Sequence, residues 1–186
     1  MFIQTFETPN PSTLKFTAGM PIMKKGTAAF APDDDLSNSP LAQKLFQIDS
    51  IQGIFFGSDF IAITKAEDIE WEVLKPEIIA SVMDHLVAGL DIIIDKKPNN
   101  ISNDVKEDDS EIVKQIKELL EERVRPAVAM DGGDIIFHNF EEGVVYLEMH
   151  GACSGCPSST ETLKGGIENM LKHYIPEIVR VEAVEA

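Results

Sequence analysis

Basic residues, cysteines and long apolar runs are all scarce in this 186-residue chain. Only 16 Lys and Arg stand against 32 Asp and Glu, a formal net charge of -16. Such a chain repels a phosphate backbone, and its scattered bases form no stripe able to release counterions, which excludes nucleic acid as a partner. Anionic membrane surfaces are excluded on the same ground. No run approaches the roughly 18 to 20 consecutive apolar residues of a membrane span. The longest ones are broken by charges such as Asp59, Asp84 and Asp91. The opening stretch, Met1 to Glu7, has neither the basic and apolar regions of a signal peptide nor the Arg-rich, acid-poor character of a transit peptide. A cytoplasmic location is expected from this. Two cysteines three positions apart cannot build a disulfide framework; in a reducing compartment such a pair binds metal or does redox work.

What is present suffices for a core. With 44% hydrophobic residues the chain makes one large domain or two small ones. The sharpest composition shift lies at 95–109, where Lys96-Lys97-Pro98-Asn99-Asn100 runs into Lys106-Glu107-Asp108-Asp109. Too little apolar surface is available there to offset the cost of ordering the backbone, so the stretch reads as a flexible linker. It separates domain 1–94 from domain 110–186, both acidic and both α+β.

In the first domain, Phe2 to Glu7 alternates as a strand and Thr13 to Phe16 forms a second. Ser39-Pro40 caps and opens a short helix. Ile51 to Phe56 and Phe60 to Thr64 make a hairpin about Gly57-Ser58-Asp59. Pro76 opens a longer helix with Ile78, Ile79, Val82, Met83, Leu86 and Val87 on one face, and Gly89 ends it. In the second domain a helix capped by Ser110 or Asp109 ends near Arg125-Pro126. Strands follow at Ile135 to Asn139 and Val144 to Met149, then a helix bearing Leu163, Ile167, Met170, Leu171 and Tyr174, and a strand between Ile178 and Val184. The order is αββαβ.

The chemistry concentrates at Cys153-Ser154-Gly155-Cys156, between the strand ending at Met149 and a helix beginning near Pro157 or Ser158. Ser158 and Glu161 have capping-box spacing. The second thiol therefore lies near a helix N-terminus, which favours the thiolate that binds metal or attacks disulfides. Gly151 and Gly155 let the backbone approach a bulky ligand. Three chemistries compete. Dithiol exchange uses the same strand, Cys-x-x-Cys, helix context, but places its pair early in a βαβ series rather than late. Structural zinc needs four ligands, so two of His85, His138, His150 and His173 would have to join, and none has His-x₃₋₅-His spacing. An iron–sulfur cluster typically needs four thiolates and one chain supplies two, so a second copy or exogenous thiols must complete the set.

The residues Met130-Asp131-Gly132-Gly133-Asp134 and Gly151-Ala152-Cys153-Ser154-Gly155-Cys156-Pro157-Ser158-Ser159, with Thr162-Leu163-Lys164 and Gly166-Ile167-Glu168, resemble the NifU C-terminal-like (Nfu) domain. Glu7-Thr8-Pro9-Asn10-Pro11, Leu14-Lys15-Phe16, Ser39-Pro40-Leu41-Ala42 and Lys65 with Trp71 resemble the Nfu N-terminal domain. The resemblance implies a non-enzymatic scaffold or carrier. Cys153 and Cys156 would ligate a [4Fe–4S] cluster between two subunits, a homodimer when loaded, and pass it to apo client proteins. Upstream cluster-assembly proteins would supply it, and the N-terminal domain would help choose clients. The chain lacks the N-terminal assembly domain and the central cysteine-rich domain of nitrogen-fixation NifU, which favours a downstream carrier over de novo assembly. A dithiol redox protein is the alternative.

Other motif residues read more plainly. Asp131-Gly132-Gly133-Asp134 is turn chemistry that shapes the loop beside the cysteines. Lys164 either screens a cluster's charge or is a solvated helix residue. Trp71 and Phe55-Phe56 are core, and become docking candidates only if they form an aromatic patch on the surface.

Overall fold

The computed structural model of the chain describes residues 2–24, 26–94, 109–154 and 157–184, without side chains at 157–159. The proposed linker, Asp109 apart, and Gly155 and Cys156 lie outside the described residues. Alternation of period two organises the N-terminal half. Five strands, β1 (Gln4–Glu7), β2 (Thr13–Thr17), β3 (Ala28–Phe30), β4 (Ile51–Phe56) and β5 (Phe60–Lys65), form one antiparallel sheet in the order β1-β2-β5-β4-β3. Leu14, Phe16, Ala28, Phe30, Ile54, Phe56, Ile61 and Ile63 all point to one face. There they meet Leu41, Ala42 and Leu45 of α1 (Pro40–Leu45) and Leu74, Ile78, Val82 and Leu86 of α2 (Trp71–Val87).

The intervening residues face the other way, and several of them are apolar too: Ala29, Phe55, Phe60 and Ala62. A sheet with one face on helices and the other in water should alternate apolar and polar. This one has two apolar faces, which requires a second cover.

The first helix starts as its residues dictate. Ser39 Oγ accepts from the Ala42 amide at 3.2 Å while its hydroxyl donates to the Ile92 carbonyl at 2.8 Å. One side chain thus caps α1 and ties down the segment after α2. Ser39→Ala is expected to lower stability by about 1–2 kcal/mol, read as a drop in urea midpoint; no shift would mean that water replaces both bonds.

Two helix limits differ from expectation. α2 begins at Trp71, five residues before Pro76. Pro76 lies inside the helix, close enough to its start that only the bond from residue 76 to Glu72 is lost. Trp71 is held in place by its indole N–H, which donates to the Pro11 carbonyl at 3.0 Å. The helix expected to stop near Arg125-Pro126 instead runs on. α3 (Glu111–Leu119) passes through a π-helical turn, Leu120–Val124, into α4 (Arg125–Met130). The wider turn absorbs the proline that would break a regular helix, because Pro126 falls in the first turn of α4, where its missing N–H is not needed. β3 was not expected at all.

The C-terminal half keeps the αββαβ order, the first helix being composite. β6 (Gly133–Glu141) and β7 (Val144–Gly151) form an antiparallel pair, and α5 (Pro157–Tyr174) carries the chain over to β8 (Arg180–Val184), parallel to β7. A parallel neighbour demands such a crossover. Ile116, Leu120, Val128, Val145, Leu147, Leu171 and Val181 fill a second, separate core.

Candidate functional site

β7 delivers the cysteine loop. It ends at Gly151, whose φ of +63° turns the chain in a manner that L side chains rarely adopt. The Ala152 amide then donates to the Gly132 carbonyl at 3.1 Å, and the Ser154 amide and hydroxyl both donate to the Gly151 carbonyl, at 3.1 and 2.9 Å. The thiol of Cys153 comes to rest against the Cα of Gly133, in the space that a Cβ there would occupy. That cradle is the physical use of the Gly132-Gly133 pair, seen in the sequence only as turn chemistry.

Cys153 is 5% exposed and belongs to the C-terminal core. Burial, with the charges of Asp131 and Asp134 behind it, pushes its thiol up to about 12. The thiolate-favouring position expected from the sequence is that of Cys156, not of Cys153. Cys153 lines a cavity of about 650 Å³ walled mainly by apolar groups, among them Val128 of α4, Leu163 and Met170 of α5, and Pro9 from the N-terminal half. Cys156 lies outside the described residues. α5 begins at Pro157, so Ser158 stands inside the helix and cannot be its N-cap as the capping-box reading requires.

Sequence reasoning missed a residue pair of consequence. Asp134 is 3% exposed, and its carboxylate accepts four hydrogen bonds. Arg125 donates two, from Nε at 2.7 Å and Nη2 at 2.6 Å; the Ile135 amide and the Thr27 hydroxyl donate the others at 2.8 and 2.9 Å. Burial opposes the charge on Arg125, but Asp134 and Glu121 outweigh it and hold the guanidinium ionised. A charge pair so completely bonded fixes the start of β6, and with it the Gly133 cradle. No spacing rule links Arg125 with Asp134, and the sequence offers Asp134 only as part of a turn motif.

Of the histidines, His150 alone is close to the loop. Its carbonyl accepts from the Cys153 amide at 3.4 Å, and its buried ring stacks on Phe55 with centroids 6.4 Å apart. Burial pulls its pKa down against the pull of Glu148 and Asp134; Nε2 lies 3.0 Å from Glu148 Oε1 but off the line of a hydrogen bond. Among the described residues no three His, Cys, Asp or Glu side chains gather as a metal set. Lys164 reaches Glu182 on β8 at 2.8 Å, the solvated-helix reading rather than a partner for the cysteine loop. Trp71 packs on the helical side of the sheet and Phe56 is core, while Phe55 is on the opposite face.

Fold and site define a thiol-bearing α+β protein of two packed sheet units, with a Cys-x-x-Cys motif leading from a strand into a helix. The chain belongs to the Nfu/NifU family of scaffold proteins. Residues 116–182 match the model of the NifU-like domain, and residues 3–89 that of the scaffold protein Nfu/NifU N terminal domain. The relative named NFU1 iron-sulfur cluster scaffold homolog, mitochondrial, from Drosophila sechellia is 50% identical over 99% of this chain and 65% of its own length. NifU-like protein 4, mitochondrial, from Arabidopsis thaliana is 52% identical over 98% of this chain and 65% of its own. The solution structure of a NifU-like protein from Saccharomyces cerevisiae, 29% identical, superposes with a TM-score of 0.48 over 52% of this chain and 87% of that one.

The chain thus spans about two thirds of the curated relatives it matches. Their names overturn the cytoplasmic expectation, since they point to mitochondria. That expectation rested on Met1 to Glu7 lacking a leader, and the first residues of a chain covering 65% of its relatives do not report on targeting.

Proposed function

We propose that this chain is an iron–sulfur cluster scaffold whose Cys153 and Cys156 hold the cluster as cargo and pass it to client apo-proteins. The observation that carries the reading is the cradle itself: a cysteine lining an apolar cavity, with glycine backbone where any side chain would crowd its sulfur. The relatives named as iron–sulfur cluster scaffolds support the same cargo. The protein divides functionally at the linker 95–109, domain 110–186 holding the cargo and domain 1–94 handling partners.

Each chain offers two thiols against the four that a cluster typically needs, so the loaded form is a homodimer around a shared [4Fe–4S] cluster. Delivery is by thiolate exchange. A client thiolate forms a bond to iron as the bond from Cys153 or Cys156 breaks; the proton leaves the client thiol and ends on the released cysteine. No group of this chain need act as general acid or base, and the protein is a carrier rather than an enzyme. Burial of Cys153 makes protonation of the freed thiol favourable, which pulls the exchange toward release. The same burial disfavours Cys153 as the nucleophile of the dithiol redox alternative, because such a nucleophile is an accessible thiolate.

Anaerobic reconstitution with iron and sulfide tests this. The wild-type chain is expected to take up about four iron and four sulfide per dimer and to double in mass. Cys153→Ala and Cys156→Ala should each abolish stable loading while the apo chain stays folded, alanine being preferred to serine because a hydroxyl at the buried 153 position would lack a partner. Full loading of either variant, or disulfide exchange by the metal-free wild type, would defeat the assignment.

A further inference from the structure

The second apolar face of the N-terminal sheet has a cover, and that cover is the cysteine loop's own side of the C-terminal half. Ala129 of α4 packs against the cluster of Phe55, Phe60 and Ala62, as does Ala29 of the sheet itself. Polar contacts ring this patch. Lys15, whose ammonium lies 4.5 Å over the Phe60 ring, donates to the carbonyls of Ala129 and Met130 at 2.7 and 3.2 Å, at the negative end of α4. Partial burial lowers the Lys15 pKa, with Asp59 and Asp131 opposing. Thr27 donates to Asp134, and the amide of Asn10 donates to the Ser154 carbonyl at 3.1 Å, one residue beyond Cys153.

Asn10 is built for the task. It is 4% exposed, and its side-chain oxygen accepts from the Ser12 amide at 3.0 Å, so the turn orients the amide that reaches Ser154. Two glycines bring the surfaces together. A Cβ on Gly132 would approach the Thr8 methyl to 3.2 Å and the Lys15 Cβ to 3.4 Å, and one on Gly151 would lie 3.1 Å from the Phe55 ring. Both have positive φ, at +79° and +63°. Backbone of the cysteine loop is thus pressed directly on side chains of the other half.

We propose that the outer face of the N-terminal sheet is a docking surface for the cysteine loop of its own chain, and that a second copy's loop displaces the sheet from that loop when cargo is shared. Docking covers Phe55 and Phe60, each left 2% exposed, and removing such large apolar side chains from water favours the docked state. It also stations Pro9 and Asn10 beside Cys153, on ground that a second subunit must occupy to bring its thiols to the same cluster. Undocking bares an apolar patch containing Phe55 and Phe60, a surface of the kind that binds proteins. Loading the cluster and exposing a partner surface are then one event. The docking stands independently of the cargo; the displacement rests on the iron–sulfur reading.

The test uses the full apo chain first. Backbone ¹⁵N relaxation should give both halves of the wild type one common tumbling time. In Lys15→Glu/Thr27→Ala the two should tumble separately, and Cys153, in a Cys156→Ser background, should be alkylated about tenfold faster as its loop opens. Lys15→Glu sets a carboxylate against two carbonyls of the other half and touches neither core, so the variant keeps its fold, checked by its amide dispersion. Separate tumbling in the wild type, or equal alkylation in the double variant, would overturn the docking. In the reconstituted wild-type dimer the N-terminal amides should tumble faster than the C-terminal ones; a common time there would overturn the displacement alone. Should no cluster be taken up, the cargo reading fails, and the displacement with it, while the apo results still decide the docking.

Discussion

Replacing Arg125 with alanine is expected to destabilise the protein by about 3–5 kcal/mol, the cost of leaving a buried carboxylate without its ionic partner. Asp134 accepts two of its four hydrogen bonds from this guanidinium, and water has little access to it at 3% exposure. The loss should appear in urea denaturation of the C-terminal core. Arg125→Met combined with Asp134→Leu should lose less than Arg125→Ala alone, because apolar groups leave no charge unpaired. A single-variant loss below about 1 kcal/mol, typical of an exposed pair, would show that Asp134 is rescued by solvent. The Lys117–Asp109 pair at 2.7 Å is a separate contact, joining the last turn of α3 to the residue that precedes its cap, and should not compensate.

The second large effect is expected at Gly133. An alanine Cβ there would occupy the place of the Cys153 thiol and stand 2.9 Å from the His150 carbonyl and 3.0 Å from the Cys153 amide. Two of these three neighbours are backbone, so relief requires the loop itself to move. Gly133→Ala should cost about 1–3 kcal/mol by overpacking and reduce iron and sulfide uptake on reconstitution, since the thiol is displaced from its cradle. Gly165→Ala is the control: it lies within α5, a Cβ there meets nothing within 4 Å, and it should be neutral or stabilise by about 0.5–1 kcal/mol. Normal loading and normal stability of Gly133→Ala would remove the cradle from the account of the site.

The two predictions bear on different links of one chain of cause. Arg125 and Asp134 set where β6 begins; Gly133, the first residue of that strand, leaves room for the sulfur; Cys153 fills it. The pair also receives Thr27 from the other half, so the same carboxylate that anchors the cradle takes part in docking. A Thr27→Ala change removes one of the carboxylate's four bonds but leaves both bonds from Arg125 and the one from the Ile135 amide, so it should cost less than Arg125→Ala and serves as a docking probe.

Much of this was legible along the chain. Alternation at Leu14 and Phe16, and at Ile61 and Ile63, marked strands because side chains of a strand alternate faces. Ser39 and Gly89 marked helix ends because each satisfies orphan backbone groups or turns the chain at little cost. The order αββαβ and the place of the cysteine motif between β7 and α5 followed from such local signals, and the motifs carried the family. Where local rules failed, a longer-range contact had overridden them. Pro76 reads as a helix start, yet Trp71 draws the helix back by bonding to Pro11, sixty positions away. Pro126 reads as a stop, yet a π turn lets α4 continue under the packing of Val128.

Local chemistry by itself determined most of the elements, the motif that bears the thiols and the acidic composition, because these depend on neighbours within a few positions or on no neighbours at all. Tertiary structure decided the state of the site. Asn10 meets Ser154 across 144 positions, Lys15 meets Ala129 across 114 and Thr27 meets Asp134 across 107, and no periodicity encodes such pairings. The apolar residues Phe55, Phe60 and Ala62 look like core in the sequence whichever way they point; only the folded sheet shows that they face the cysteine loop rather than α1 and α2. Burial likewise belongs to the fold: nothing local in the sequence marks Cys153 as buried, and its packing into the C-terminal core is what pushes its thiol pKa up.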